Sequence, residues 1–166
     1  MNLVLAFIED RRLGLAAMGA LAVVVGSALP WLYVPQPLIG SSTGYGLQDE
    51  GKITVILGVL ALVLLVAYAR VRGRDLVLGA LACGLGAAGL TVWYASRTEL
   101  NAARVIARLF TTGGTPLDPS SVVPFPARIA AGVWVVLAGA AVLVLCSAAL
   151  SLRGNGRIGP ALRSPS

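Results

Sequence analysis

The sequence predicts an all-α membrane protein, a bundle of four transmembrane helices. Three observations lead there. Four long apolar runs, at residues 13–33, 53–69, 76–95 and 129–150, contain no Asp, Glu, Lys, Arg or His. Hydrophobic residues make up 57% of the 166 and charged residues only 12%, about half the share usual in a soluble domain. A soluble chain of this length can bury one such run as a core helix but lacks the polar surface to cover four. Finally, the arginines gather in short segments beside the runs, where membrane topology is decided.

The head, residues 1–12, starts apolar and suits a brief turn against the membrane surface. Arg11 and Arg12 close it. Asp and Glu contribute little to the positive-inside bias, so the pair places the N-terminus on the cytoplasmic side despite Glu9 and Asp10. The first span, 13–33, opens with the small or flexible Gly14, Ala17, Met18 and Ala20. It ends at Pro30 with Trp31 and Tyr33, read as part of an outer aromatic belt. Gly26-Ser27-Ala28 resembles a signal-peptide cleavage site only loosely, and the apolar region is long for a signal peptide.

Residues 34–52 form the first outer loop. Pro35 and Pro37 impose an extended path, and Gly40, Gly44 and Gly46 favour turns. The loop is compatible with a short hairpin whose arms are 35–39 and 45–48. Gly46 to Gly51-Lys52 has the spacing that opens a phosphate-binding loop. However, Ile53 stands where that loop needs Ser or Thr, and the run leads into a span, so it reads as a loop end.

The second span, 53–69, is rich in Val and Leu and suits the lipid-facing side of a bundle. Tyr68 marks the inner interface, and Arg70, Arg72 and Arg74 then form a basic hairpin on the cytoplasmic side. Contact with anionic headgroups is the lesser reading of that cluster.

The third span, 76–95, is the densest in small residues. Ala80, Gly84 and Ala88 recur every four positions, and Gly79, Cys83 and Ala87 form a neighbouring row. Such rows offer a shallow groove to other helices, so this span is expected at the centre of the bundle. It ends in Trp93 and Tyr94 at the outer belt. Residues 97–110 place Leu100, Ala103, Ile106 and Phe110 on one stripe and Asn101, Arg104 and Arg108 on another. This predicts a short amphipathic extracytoplasmic helix along the membrane surface, or an extension of the third span. A proline-rich connector follows.

The fourth span, 129–150, carries Gly132 and Gly139 at heptad spacing, beside Ala131 and Ala138, as a packing face. Trp134 belongs to the outer level. Residues 151–166, with Arg153, Arg157 and Arg163 and no acid, read as a basic flexible cytoplasmic tail after a single domain over 1–150. The outer stretch 97–128 holds four arginines against two acids. The orientation, with both termini cytoplasmic in the plasma membrane, therefore rests on the even number of spans and the tight basic segments.

The chemistry available to these spans is narrow. An ionisable residue inside the membrane would point to a proton or ion path, and the spans hold none. Their polar groups are Ser27, Thr54, Thr91, Ser147 and the thiols of Cys83 and Cys146. The thiols read as small apolar fillers, with acylation of Cys146 as a minor alternative. The chain has no histidine, the commonest metal ligand and general base. Nothing in the sequence ties Asp49, Glu50, Lys52, Glu99 and Asp118 together. No catalytic, cofactor-binding or metal-binding residue is expected. The expected partners are membrane lipids and other membrane-protein subunits or a second copy. Nucleic acid is not expected, because the basic residues sit beside spans.

Pro30-Trp31 closing the first span, Asp49-Glu50-Gly51-Lys52-Ile53 entering the second and Gly132-Val133-Trp134 opening the fourth resemble a set of small four-span membrane proteins of actinobacterial type. The resemblance covers most of 13–150 and implies a fold without an activity. The longer stretch at 97–126 departs from it. The layout is also loosely similar to claudin-type tetraspans, but their outer Gly-Leu-Trp and paired-cysteine signature is missing, so their function does not carry over. The expected function is that of a non-enzymatic membrane protein acting through helix contacts, as an accessory subunit or a homo-oligomer. The alternative is a small-solute or lipid-related transporter or channel.

Overall fold

The computed structural model describes residues 10–36, 40–45, 51–98 and 128–155. Four helices in it are long and apolar enough to cross a membrane: α1 (Arg11–Ala28), α2 (Gly51–Val71), α3 (Arg74–Ser96) and α4 (Ala131–Asn155). Between them lie three strands, β1 (Pro30–Gln36), β2 (Gly40–Tyr45) and β3 (Arg128–Ile129). The protein is a multi-pass membrane bundle with a small sheet at one end.

Each helix buries a seam that alternates steps of three and four residues. In α1 the seam is Leu13, Ala16, Ala20, Val23 and Ser27, and in α2 it is Gly51, Thr54, Gly58, Ala61 and Leu65. In α3 it is Val77, Ala80, Gly84, Ala87, Thr91 and Tyr94, and in α4 it is Val133, Val136, Ala140, Leu143, Ser147 and Leu150. This is the 3.5-residue period of left-handed helix packing. The rest of each helix stays apolar because its solvent is lipid and not water, so no polar face develops.

The helices form a ring, α1 beside α2, α2 beside α3, α3 beside α4 and α4 beside α1. They run alternately up and down. Asp10, at the start of α1, and Asn155, at the end of α4, therefore lie at the same end, here the arginine end. The ring replaces the expected arrangement around a central third span. In a square bundle no helix is central, and α3 occupies a corner like the others.

Helix α1 starts at Asp10, whose side chain accepts a hydrogen bond from the Arg12 amide at 3.3 Å. It stops at Ala28, well short of Tyr33. Proline at position 30 disfavours helical geometry at Leu29, which is extended at φ −75° and ψ 163°. The chain after it becomes β1 instead of the last turn of the span. β1 pairs antiparallel with β2, from Gln36 opposite Gly40 to Pro30 opposite Tyr45. On its other side Leu32 and Tyr33 pair with Ile129 and Arg128 of β3. The hairpin thus lies nearer α1 than the arms expected at 35–39 and 45–48. Pro35 is tolerated because β3 pairs only with Leu32 and Tyr33, leaving β1 one-sided at the proline. β3 also displaces the start of the fourth helix to Ala131, and α4 continues to Asn155, into the stretch expected as tail. The amphipathic helix expected over 97–110 falls, beyond Thr98, outside the described residues.

Two apolar clusters fill the ring. One, towards the arginine end, gathers Leu13, Ala16, Ala61, Leu65, Val77, Ala80, Cys83 and Leu143. The other, under the sheet, gathers Val23, Trp31, Ala87, Tyr94, Val133 and Val136.

Candidate functional site: a glycine seam between two polar ends

Helices α1 and α4 meet backbone to backbone at four glycines. Gly19 and Gly26 are seven residues apart on α1, and Gly132 and Gly139 are seven apart on α4. A Cβ at Gly19 would stand 2.7 Å from the Gly139 carbonyl oxygen, and a Cβ at Gly139 would stand 2.7 Å from that of Gly19. Higher up, a Cβ at Gly26 would meet the Val136 nitrogen at 2.8 Å, and one at Gly132 would meet the Gly26 oxygen at 2.8 Å. Only hydrogen fits at these four positions. In lipid, where helices gain nothing from leaving water, such close contact supplies the dispersion that holds them together.

The small-residue rows of α3 divide their work. Ala80, Cys83, Gly84 and Ala87 are buried in the seam, while Gly79 and Ala88 flank it half-buried. Gly84 faces α4, where a Cβ would meet Val144 Cγ2 at 2.9 Å. Gly79 faces α2, where a Cβ would meet Leu64 Cδ1 at 3.0 Å. Both neighbours are side-chain ends that can shift, unlike the backbone atoms opposite Gly19 and Gly139. The sequence singled out Gly132 and Gly139 but missed Gly19 and Gly26. Their matching heptad spacing was the signal available.

Among the described residues, four Ser and Thr hydroxyls are fully buried, one per helix: Ser27, Thr54, Thr91 and Ser147. Ser27 Oγ and Thr54 Oγ1 lie 2.6 Å apart and join α1 to α2. Ser27 Oγ also sits 2.7 Å from the Val23 carbonyl, and Thr54 Oγ1 sits 2.9 Å from that of Gly51. These are three contacts sharing two hydroxyl protons. Either Ser27 donates to Thr54 and Thr54 to Gly51, or Thr54 donates to Ser27 and Ser27 to Val23. Thr91 Oγ1 donates to the Ala87 carbonyl at 2.7 Å. Ser147 Oγ has no hydrogen-bond partner among the described residues.

At the sheet end, Trp31 turns inward. Its ring meets that of Tyr94 edge-on, with centroids 5.0 Å apart and planes at 75°. Its indole N–H donates to the Gly26 carbonyl at 3.0 Å, which also accepts the Leu29 amide at 3.3 Å where α1 ends. Trp31 and Tyr94 therefore leave the aromatic belt in which the sequence placed them, since both are buried in the bundle. The turn at Pro30 aims Trp31 at the core instead of along the helix axis. Tyr33, Trp93 and Trp134 are exposed at that end. Arg97 lies over the Trp93 ring at 4.5 Å.

At the opposite end, Arg11, Arg12, Arg70, Arg72 and Arg74 are all exposed. Arg12 Nη1 donates to the Ala149 carbonyl of α4 at 3.4 Å, and Arg72 Nη1 lies 3.7 Å from Asp10 Oδ2. The Arg72 guanidinium is also 5.6 Å from the centre of the Tyr68 ring. Arg153 belongs to the last turn of α4.

This arrangement is built for packing. The described residues hold no catalytic motif, and among them no three of His, Cys, Asp and Glu come together. The chain matches no family model, no curated protein and no solved structure. The resemblances to actinobacterial four-span proteins and to claudin-type layout accordingly rest on the sequence motifs alone.

Proposed function

We propose that the chain is a non-enzymatic plasma-membrane protein that works through helix contacts within the bilayer, as a homo-oligomer or a subunit of a larger membrane assembly, with both termini cytoplasmic. The supporting observation is a difference between outward faces. On α1 and α2 these carry bulky residues suited to lipid, namely Leu15, Met18, Leu21, Ile53, Ile56 and Val63. On α3 and α4 small residues, Ala82, Gly89, Ala138 and Ala141, stand among bulky ones such as Leu85, Val92 and Leu145. A Cβ at Gly89 would meet nothing within 4 Å. Small residues that no helix of this chain covers leave room for a neighbouring helix to approach.

The test is mass determination after extraction in mild detergent. The expected result is a species heavier than one chain, reduced to the monomer by Gly89→Leu without loss of the folded bundle. A wild-type protein that is strictly monomeric and partner-free overturns the proposal. Orientation is tested separately: a cysteine at Ser42 should label from outside intact cells, and one at Ser164 should not.

A further inference from the structure

The corner where α1 begins and α2 ends joins two basic segments far apart in sequence. Arg11 and Arg12 follow Asp10 in the chain, and Arg70, Arg72 and Arg74 surround the α2–α3 turn. The Asp10–Arg72 contact brings the segments together. Arg72 is held there by its backbone as well as its side chain. It is in the left-handed region at φ 57°, uncommon for a residue with a Cβ, and its amide donates to the Tyr68 carbonyl at 2.9 Å to close the end of α2. Its guanidinium, 52% exposed, lies against the Asp10 carboxylate and the Tyr68 ring. A side chain already fixed in this way loses little further freedom on meeting a ligand.

Among the described residues, five exposed arginines and two carboxylates, Asp10 and Asp75, lie at this end. The excess is positive, and guanidinium groups bind phosphate through paired N–H donors. Apolar surface lies beside the charge. Val71, between Arg70 and Arg72, is 74% exposed, and Leu78, one turn into α3, is 40% exposed. A soluble anion would gain nothing from these side chains, whereas an acyl chain would cover them.

We propose that this corner binds the phosphate of an anionic phospholipid headgroup, with Arg11, Arg70 and Arg72 as ligands and the lipid's acyl chain against Val71 and the adjoining α2–α3 surface. The inference stands apart from the contact function, and either can fail without the other.

The full chain, purified in non-ionic detergent, is titrated with phosphatidylglycerol or phosphatidylcholine and bound lipid is counted by native mass spectrometry. Phosphatidylglycerol should be retained in preference to phosphatidylcholine. R11Q/R70Q, which alters two exposed side chains, should weaken its retention about thirtyfold. R97Q, at the other end, should leave retention unchanged. Free glycerol phosphate should not compete at concentrations where phosphatidylglycerol saturates. Equal retention of the two lipids, wild-type retention by R11Q/R70Q, an equal loss in R97Q, or effective competition by glycerol phosphate would each overturn the proposal.

Discussion

The α-carbons of Gly19 and Gly139 face each other so closely that a methyl group on either would stand 2.7 Å from the other's carbonyl oxygen. Neither atom in that clash is the free end of a side chain. Relief requires α1 and α4 to separate, which loosens every contact along both helices. Gly19→Ala and Gly139→Ala should each destabilise the bundle by about 1–3 kcal/mol despite alanine's better helix propensity. Thermal unfolding in detergent measures this. Unchanged midpoints would mean that the helices are not so close.

The same substitution has a graded effect along α3. At Gly84 the clash is with Val144 Cγ2 and Leu143 Cδ2, at 2.9 and 3.2 Å, and both can give way. Gly84→Ala should therefore cost less than Gly139→Ala, while Gly84→Leu should be severe. At Gly89, where no atom of the same chain is near, alanine should stabilise the helix of the monomeric bundle by about 0.5–1 kcal/mol. The order of midpoints, Gly89→Ala above wild type, then Gly84→Ala, then Gly139→Ala, is the quantity to check.

These gradings show what could be read without coordinates. The four spans follow from apolar length, and the four buried hydroxyls belong to the only Ser and Thr residues within them. The heptad seams were legible only at Gly132 and Gly139, because helices apolar all round hide which face is buried. The rows read every four residues in the third span differ from its seam, which takes in Val77, Thr91 and Tyr94 and leaves Gly79 and Ala88 at its flank. The α1–α4 approach was not legible. Gly19 and Gly26 acquire meaning only when the ring order sets them opposite Gly139 and Gly132, and sequence spacing carries no information about which helices adjoin. Trp31 failed for a different reason. An aromatic after a span normally marks the interface, and the outcome here depended on one proline ending the helix early.

Trp31 makes two separable contributions. Trp31→Phe keeps an aromatic edge for Tyr94 but leaves the Gly26 carbonyl without the indole donor, at about 1 kcal/mol. Trp31→Ala also empties the space between α3 and α4 under the sheet, at about 3–5 kcal/mol. Unfolding midpoints of the two variants should differ accordingly. Near-identical midpoints would show that packing contributes little there.

The Ser27–Thr54 pair should be coupled but weak. Removing either hydroxyl leaves the other free to donate to its own helix carbonyl, Val23 for Ser27 and Gly51 for Thr54. No buried hydroxyl proton is then stranded, so Ser27→Ala and Thr54→Ala should each be mild. A double-mutant cycle should return a coupling of about 0.6 kcal/mol, in the range found for hydrogen bonds between membrane helices. A coupling near zero would mean that each hydroxyl already donates to its own carbonyl and the 2.6 Å contact contributes nothing.

Arg72 sets a backbone preference against a side-chain one. At φ 57° its Cβ crowds the following carbonyl, a strain of about 1 kcal/mol that glycine escapes. Against this stand the contacts with Asp10 and Tyr68, which together contribute about 1 kcal/mol at an exposed site. Arg72→Ala loses the contacts and keeps the strain, so it should destabilise by about 1 kcal/mol. Arg72→Gly loses both, and the terms nearly cancel, so its midpoint should lie close to wild type. The larger substitution in size is thus the milder in effect. The sign follows because Gly73 cannot take over the role: it sits one residue later, at φ −75°, as the cap of α3. Alanine as stable as glycine at position 72 would show that the left-handed turn is not held in solution, and the fixed Arg72 guanidinium on which lipid binding was argued would fall with it.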